Sequence, residues 1–169
     1  MNDRSKLPYR PCAGAALFNA AGEVLLGRRK PKPGQAERSG SFEWQMPQGG
    51  IDEGEDPRDA AIRELYEETS VRSIEFLAEA PEWYAYDLPE EMVGSGWTQH
   101  YRGQIQKWFA FRFTGQESEI DVDHPGEGRF KAEFDQWRWQ PLEALPDLVI
   151  PFKAGVYRNV VDAFRFLVR

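Results

Sequence analysis

Residues 49–71, GGIDEGEDPRDAAIRELYEETSV, constrain this chain more than any other segment. Asp56 is a good N-cap and Pro57 suits the first helical position, so a helix is predicted over 57–69. Ala61, Ile62 and Leu65 give that helix one apolar face. Glu64, Glu67 and Glu68 stand at i, i+3 and i+4 and share another. Like charges at this spacing cost about 0.2–0.5 kcal/mol even on an exposed helix, and more when desolvated. Folding does not require the arrangement, and a cation among the carboxylates would explain it. Hard oxygen ligands suit Mg²⁺ or Mn²⁺ better than zinc, which prefers His and Cys. Arg63, one turn before Glu67, is placed to orient it through a charge-assisted hydrogen bond. Taken alone, the same face reads more simply as a solvated acidic surface.

The rest of the chain supplies a sheet for this helix. CAGAALF (12–18) and EVLLGRR (23–29), split by Asn19-Ala20-Ala21-Gly22, read as a β-hairpin. Residues 29–41, rich in Pro, Gly and charge, read as a loop. FEWQMP (42–47), SIEFLAEA (73–80), EWYAYDL (82–88), QKWFAFRF (106–113) and FDQWRWQP (134–141) read as strands, with an acidic loop over 115–130. Val156, Val160, Ala163, Phe164 and Leu167 fall at helical spacing after Pro151, which suits a helix start. The expectation is an α/β fold, a mixed sheet flanked by helices.

Composition narrows the function. The 169 residues are 41% hydrophobic and 29% charged, which suits one folded domain and excludes wholesale disorder. One cysteine permits no intrachain disulfide and no cysteine-built metal site; Cys12, in an apolar run, reads as core. His100 and His124 lie far apart in predicted loops and read as surface residues, so no zinc site is expected. The net charge of −7 argues against an extended nucleic-acid footprint but leaves room for a compact acidic site that takes a divalent cation. The N-terminus lacks the apolar run of a signal peptide, and no stretch reaches the roughly 20 apolar residues of a membrane span. A cytoplasmic location is expected, in keeping with a single unpaired thiol.

The 49–71 segment resembles the Nudix hydrolase signature G-x5-E-x7-R-E-U-x-E-E-x-G-U, where U is bulky and apolar. Gly49, Glu55, Arg63, Glu64, Leu65, Glu67, Glu68 and Val71 stand at matching positions. Ser70 replaces the pattern's last glycine, and a local backbone difference is expected there. The resemblance implies a single Nudix domain over 1–169, folded as an α/β/α sandwich. It implies that Glu64, Glu67, Glu68 and the Gly49 carbonyl hold divalent metal, and that Glu55 supports the loop.

Beyond the box, Tyr9-Arg10-Pro11, WQMPQGG (44–50), QKWF (106–109), EFDQWRW (133–139) and PFKAGVY (151–157) resemble the bacterial RNA pyrophosphohydrolase and dinucleoside polyphosphate hydrolase group. Members remove pyrophosphate from the 5′-triphosphate end of RNA or split dinucleoside polyphosphates such as diadenosine tetraphosphate. The implied activity is a Mg²⁺-dependent pyrophosphohydrolase acting on RNA ends. The alternatives are a dinucleoside polyphosphate hydrolase, a hydrolase of small nucleotides, or a nucleotide-binding module without catalysis. The implied catalytic set is Glu133 as general base with Glu64 and Arg63; Glu117, Glu119 and Glu127 are rival acids in the same loop. Arg10, Arg28, Ser41, Tyr86, Gln106, Phe152 and Lys153 are carried over as contacts to phosphates or the first bases. Core packing is the competing reading for Tyr86 and Phe152, and plain strand exposure for Arg28. Arg28, Arg29, Lys30, Lys32 and Arg38 would form a phosphate-collecting lip. A monomer is expected, with no membrane partner.

Overall fold

The computed structural model describes residues 3–30 and 43–168. Eight strands form one mixed sheet. They are β1 (Tyr9–Phe18), β2 (Glu23–Arg29), β3 (Trp44–Gln45), β4 (Gln48–Gly50), β5 (Ile74–Glu79), β6 (Tyr84–Asp87), β7 (Gly103–Phe113) and β8 (Phe134–Pro141). Strand β1 turns into β2 through Asn19–Gly22, with Phe18 opposite Val24, as the hairpin reading anticipates. The long ladder is parallel: β1 runs beside β7 from Tyr9 opposite Gly103 to Phe18 opposite Arg112. All other pairings are antiparallel, with β8 and β3 on β2, and β5 and β6 on β7.

Strand β1 is apolar on both faces because both are covered. Ala13, Ala15 and Leu17 join Leu25, Phe109 and Phe111 on one side, under Ala61 and Leu65 of helix α1 (Pro57–Thr69). Ala16 and Phe18 join Val24, Leu26 and Trp108 on the other, under Val156, Tyr157, Val160 and Phe164 of α3 (Ala154–Phe164). A short helix α2 (Leu145–Leu148) closes this second layer. The result is the α/β/α sandwich. Among the described residues no helix is long and apolar enough to cross a membrane.

Several boundaries differ from the sequence reading. Strand β1 begins at Tyr9 and β7 at Gly103, because polar Arg10 and Gln104 sit in the ladder. Pro151 opens a 3₁₀ turn (Pro151–Lys153), and α3 starts after it. Strand β4 is three residues long, too short to show alternation, yet it pairs with Cys12–Gly14 of β1 and carries the glycines of the box. Strands β4 and β6 flank the same end of the β1–β7 pair, and the functional residues gather there.

Candidate active site

Helix α1 is fixed at both ends by its sequence. The Asp56 carboxylate accepts from the Arg58 and Asp59 amides at 2.9 and 3.4 Å, and Pro57 occupies the first turn. At the other end Ser70 takes the left-handed conformation, φ 69°, that a glycine would adopt. The expected backbone difference is therefore absent. Polar partners hold the serine there: its Oγ donates to the Asp121 carbonyl at 2.9 Å and accepts from the Gly126 amide at 3.0 Å.

Packed on β1 and β4, α1 turns its acidic face into a cleft of about 500 Å³. Glu64, Glu67, Glu68, Gly49 and Glu133 all line it. Gly49 leaves room for the Glu64 carboxyl group, on which a Cβ there would land. Glu68 is 5% exposed, and one of its oxygens accepts from the Gln48 amide at 3.0 Å. Burial, aided by the charge of Glu64, pushes the Glu68 carboxyl well above the usual carboxylate range. Burial also raises Glu64, and Arg63 partly opposes that shift.

Arg63 acts as the hub beneath these acids. Its guanidinium donates to Glu55 at 2.9 Å through both Nε and Nη2, to Glu64 at 2.8 Å, to Glu67 at 3.3 Å and to the Gly50 carbonyl at 2.8 Å. This hydrogen bonding holds the Glu55 carboxyl below its ordinary value. Glu55 in turn accepts from the Asp52 amide at 3.0 Å, tying the 52–55 turn to the helix. Arg63 is thus a positioning residue for the carboxylates around it.

Cations and rings form the remaining walls. Arg10, Arg29, Lys131 and Lys153 line the cleft with Tyr86, Phe152, Gln104, Met92 and Trp97. Arg28 belongs elsewhere: its guanidinium is committed to Asp135 at 2.7 and 2.9 Å. The register of β2 against β8 shifts between Arg28 and Arg29, and Arg29 is the one that faces the cleft. Gln106 is buried, donating to Gln104 at 2.8 Å and accepting from Trp108 at 3.0 Å, so Gln104 takes the lining position. Ser41, Lys32 and Arg38 lie outside the described residues. Of the rival acids, Glu117 accepts from the Trp139 indole and Glu119 from the Arg72 and Ser73 amides, both away from the cleft. Cys12 is fully buried and its thiol is pushed up to about 11, in keeping with a core role. His100 and His124 are exposed. Trp97, Met92, Phe130 and Lys131 escaped the sequence reading because they lie in irregular segments with no periodicity to mark them.

The NUDIX domain profile matches residues 8–161. This chain belongs to the Nudix family. An RNA pyrophosphohydrolase of Azorhizobium caulinodans is 57% identical to the Nudix chain over 94% of each protein. One from Bradyrhizobium sp. is 56% identical over 95% of each. The Ap4A hydrolase of C. elegans shares the Nudix fold with a TM-score of 0.61 at 20% identity, covering 94% of this chain and 97% of that one.

Nudix hydrolases generally use divalent metal ions, and the donors here suit one. Three carboxylates share one wall, and Glu68 is nearly buried with a single backbone donor as its hydrogen-bond partner there. Among the described residues no three acidic, histidine or cysteine side chains already converge on one point. Arg63 spans Glu64 and Glu67 instead and offsets part of their charge.

Proposed function

We propose that this protein is a Mg²⁺-dependent RNA pyrophosphohydrolase, removing pyrophosphate from the 5′-triphosphate end of RNA. Identity of 56–57% to RNA pyrophosphohydrolases across almost the whole chain carries the reading. The cleft supports it chemically, because one wall is carboxylate and the others are cationic and aromatic. Glu64, Glu67, Glu68 and the Gly49 carbonyl would hold Mg²⁺, with Mn²⁺ able to substitute. Bound there, the ion neutralises polyphosphate charge and lowers the pKa of the attacking water.

The chain's own groups do the rest. Arg10, Arg29, Lys131 and Lys153 grip the phosphates and withdraw charge as the leaving pyrophosphate separates. Glu133 accepts a proton from the water as its oxygen bonds to phosphorus and the bridging P–O bond breaks. Arg63 keeps Glu64 and Glu67 in place. Phe152, backed by Tyr86, offers a ring to a base. The protein works as a single-domain monomer in the cytoplasm, without a membrane partner.

The test compares kcat/KM for a short 5′-triphosphorylated RNA and for diadenosine tetraphosphate, with Mg²⁺ present and Glu67→Gln as the blank. A preference for RNA of about tenfold or more, roughly 1.4 kcal/mol in transition-state binding, is expected. An equal margin for the dinucleotide would replace this reading with a dinucleoside polyphosphate hydrolase. Full turnover in the Glu67→Gln protein would refute the metal assignment.

A further inference from the structure

Tyr86 and Phe152 pack as one aromatic unit. Their rings pack on each other with centroids 5.5 Å apart and planes at 44°, and Tyr86 is 7% exposed. The Lys153 ammonium lies 5.6 Å from the Tyr86 ring centre and 6.0 Å from that of Phe152. Such a stack presents the Phe152 ring to one base. The first two nucleotides of an RNA carry two bases, and the cleft holds a further large, half-buried ring in Trp97.

Trp97 sits on a 3₁₀ turn (Gly96–Gln99) whose backbone is held from outside. Arg4 Nη2 donates to the carbonyls of Thr98 and Tyr101 at 2.8 and 2.6 Å. The Arg102 amide donates to the Pro8 carbonyl at 3.0 Å. The Arg10 guanidinium lies 5.4 Å from the indole centre, a cation–π contact that orients the ring. The Arg10 guanidinium also lies directly over Gly50, in space that a Cβ at that position would take. A phosphate-gripping cation and an aromatic face therefore form one unit, with Met92 and Leu88 lining the cleft nearby. Aromatic faces accept bases of any sequence, and they gain most when held in place beforehand.

We propose that Trp97 is a second base platform. It stacks one of the first two bases of an RNA whose 5′ polyphosphate lies along α1, while Phe152 takes the other. The assignment rests on the RNA-end reading above.

The experiment measures kcat and KM on a short 5′-triphosphorylated RNA and on the same RNA made abasic at its first or its second nucleotide. Parent, Trp97→Ala and Trp97→Phe proteins are compared, with melting temperature as the control for folding. Trp97→Ala should lose about tenfold in kcat/KM on intact RNA, mostly through KM. Trp97→Phe, which keeps a ring, should stay within about threefold of the parent. On one of the two abasic RNAs the parent should already be impaired, and Trp97→Ala should add less than about twofold. Unchanged kcat/KM on intact RNA would overturn the platform. So would a loss of full size on both abasic RNAs, which would leave Trp97 as a support for Arg10 alone. Poor turnover of RNA beside rapid turnover of diadenosine tetraphosphate in the parent would overturn both the RNA-end reading and this assignment, and it would be seen before any variant is made.

Discussion

Arg63 and Gly49 show how single residues fix the acidic wall. Arg63→Ala would strand Glu55 and Glu64, whose side chains are 18% and 15% exposed. Leaving partly buried carboxylates unpaired should destabilise the fold by about 3 kcal/mol, measured by urea denaturation, and depress kcat as Glu67 loses its guide. Gly49→Ala should leave the melting curve nearly intact but lower kcat/KM by about 100-fold, because Glu64 must swing away from the new methyl group. Glu68 links the site to pH. Its carboxyl is raised by burial above the ordinary value of 4.5, so the metal-free native state holds a proton that the unfolded chain releases. Metal-free stability therefore falls as pH rises from about 4.5 toward the raised value, whereas metal binding requires the ionised form. The rise in melting temperature on adding Mg²⁺ should grow with pH over that window. Glu68→Gln should weaken that growth, leaving what the raised Glu64 contributes, increase stability without metal and remove turnover. The box residues were legible because their spacing is local to one helix. Arg29 was legible only as one member of a basic lip, with Arg28 carried over as the contact, because a strand presents alternate residues to opposite faces and the irregularity between Arg28 and Arg29 breaks the count.

Both ends of α1 are built from polar contacts, yet only one could be read from the chain. The Asp56 cap lies beside its partners in sequence, and Asp56→Ala should cost about 1 kcal/mol. The partners of Ser70 lie 51 and 56 residues away, so nothing near it announced that a serine would hold the glycine conformation. Ser70→Ala keeps the left-handed backbone and loses both hydrogen bonds, and should cost about 1–2 kcal/mol. Ser70→Gly loses the same bonds but relieves the backbone, so its denaturation midpoint should stay near the parent's. The hairpin, α1 and β8 were plain from periodicity. Strand β4 and the turns around Met92 and Trp97 were not, since their conformation comes from neighbours rather than from their own pattern.

Across the whole molecule a net charge of −7 surrounds a cleft lined by Arg10, Arg29, Lys131 and Lys153. The electrostatic part of binding should therefore reach the polyphosphate and stop, leaving the first bases to the aromatic rings. The log of kcat/KM for 5′-triphosphorylated RNA should fall against the log of salt with a slope of about −2, as for roughly three phosphates. Lengthening the RNA from about 4 to about 20 nucleotides should not steepen it. Fold class was legible because apolar runs mark most strands and helical spacing marks α1 and α3, whereas the layer order came with the family resemblance. The β1–β7 partnership was not, because it joins residues nearly 100 positions apart in the numbering, Tyr9 to Gly103 and Phe18 to Arg112. That ladder also governs how the protein is made. On the ribosome the hairpin and α1 emerge first, but β1 lacks its parallel neighbour, and Trp108, Phe109 and Phe111 are missing from both cores until the chain passes Phe113. Contacts so distant in sequence form slowly, and the waiting apolar edge is open to other chains meanwhile. A nascent chain that stops before Gly103 carries the entire glutamate helix on β1 and β4 alone, without Phe109 and Phe111 to complete the core beneath it.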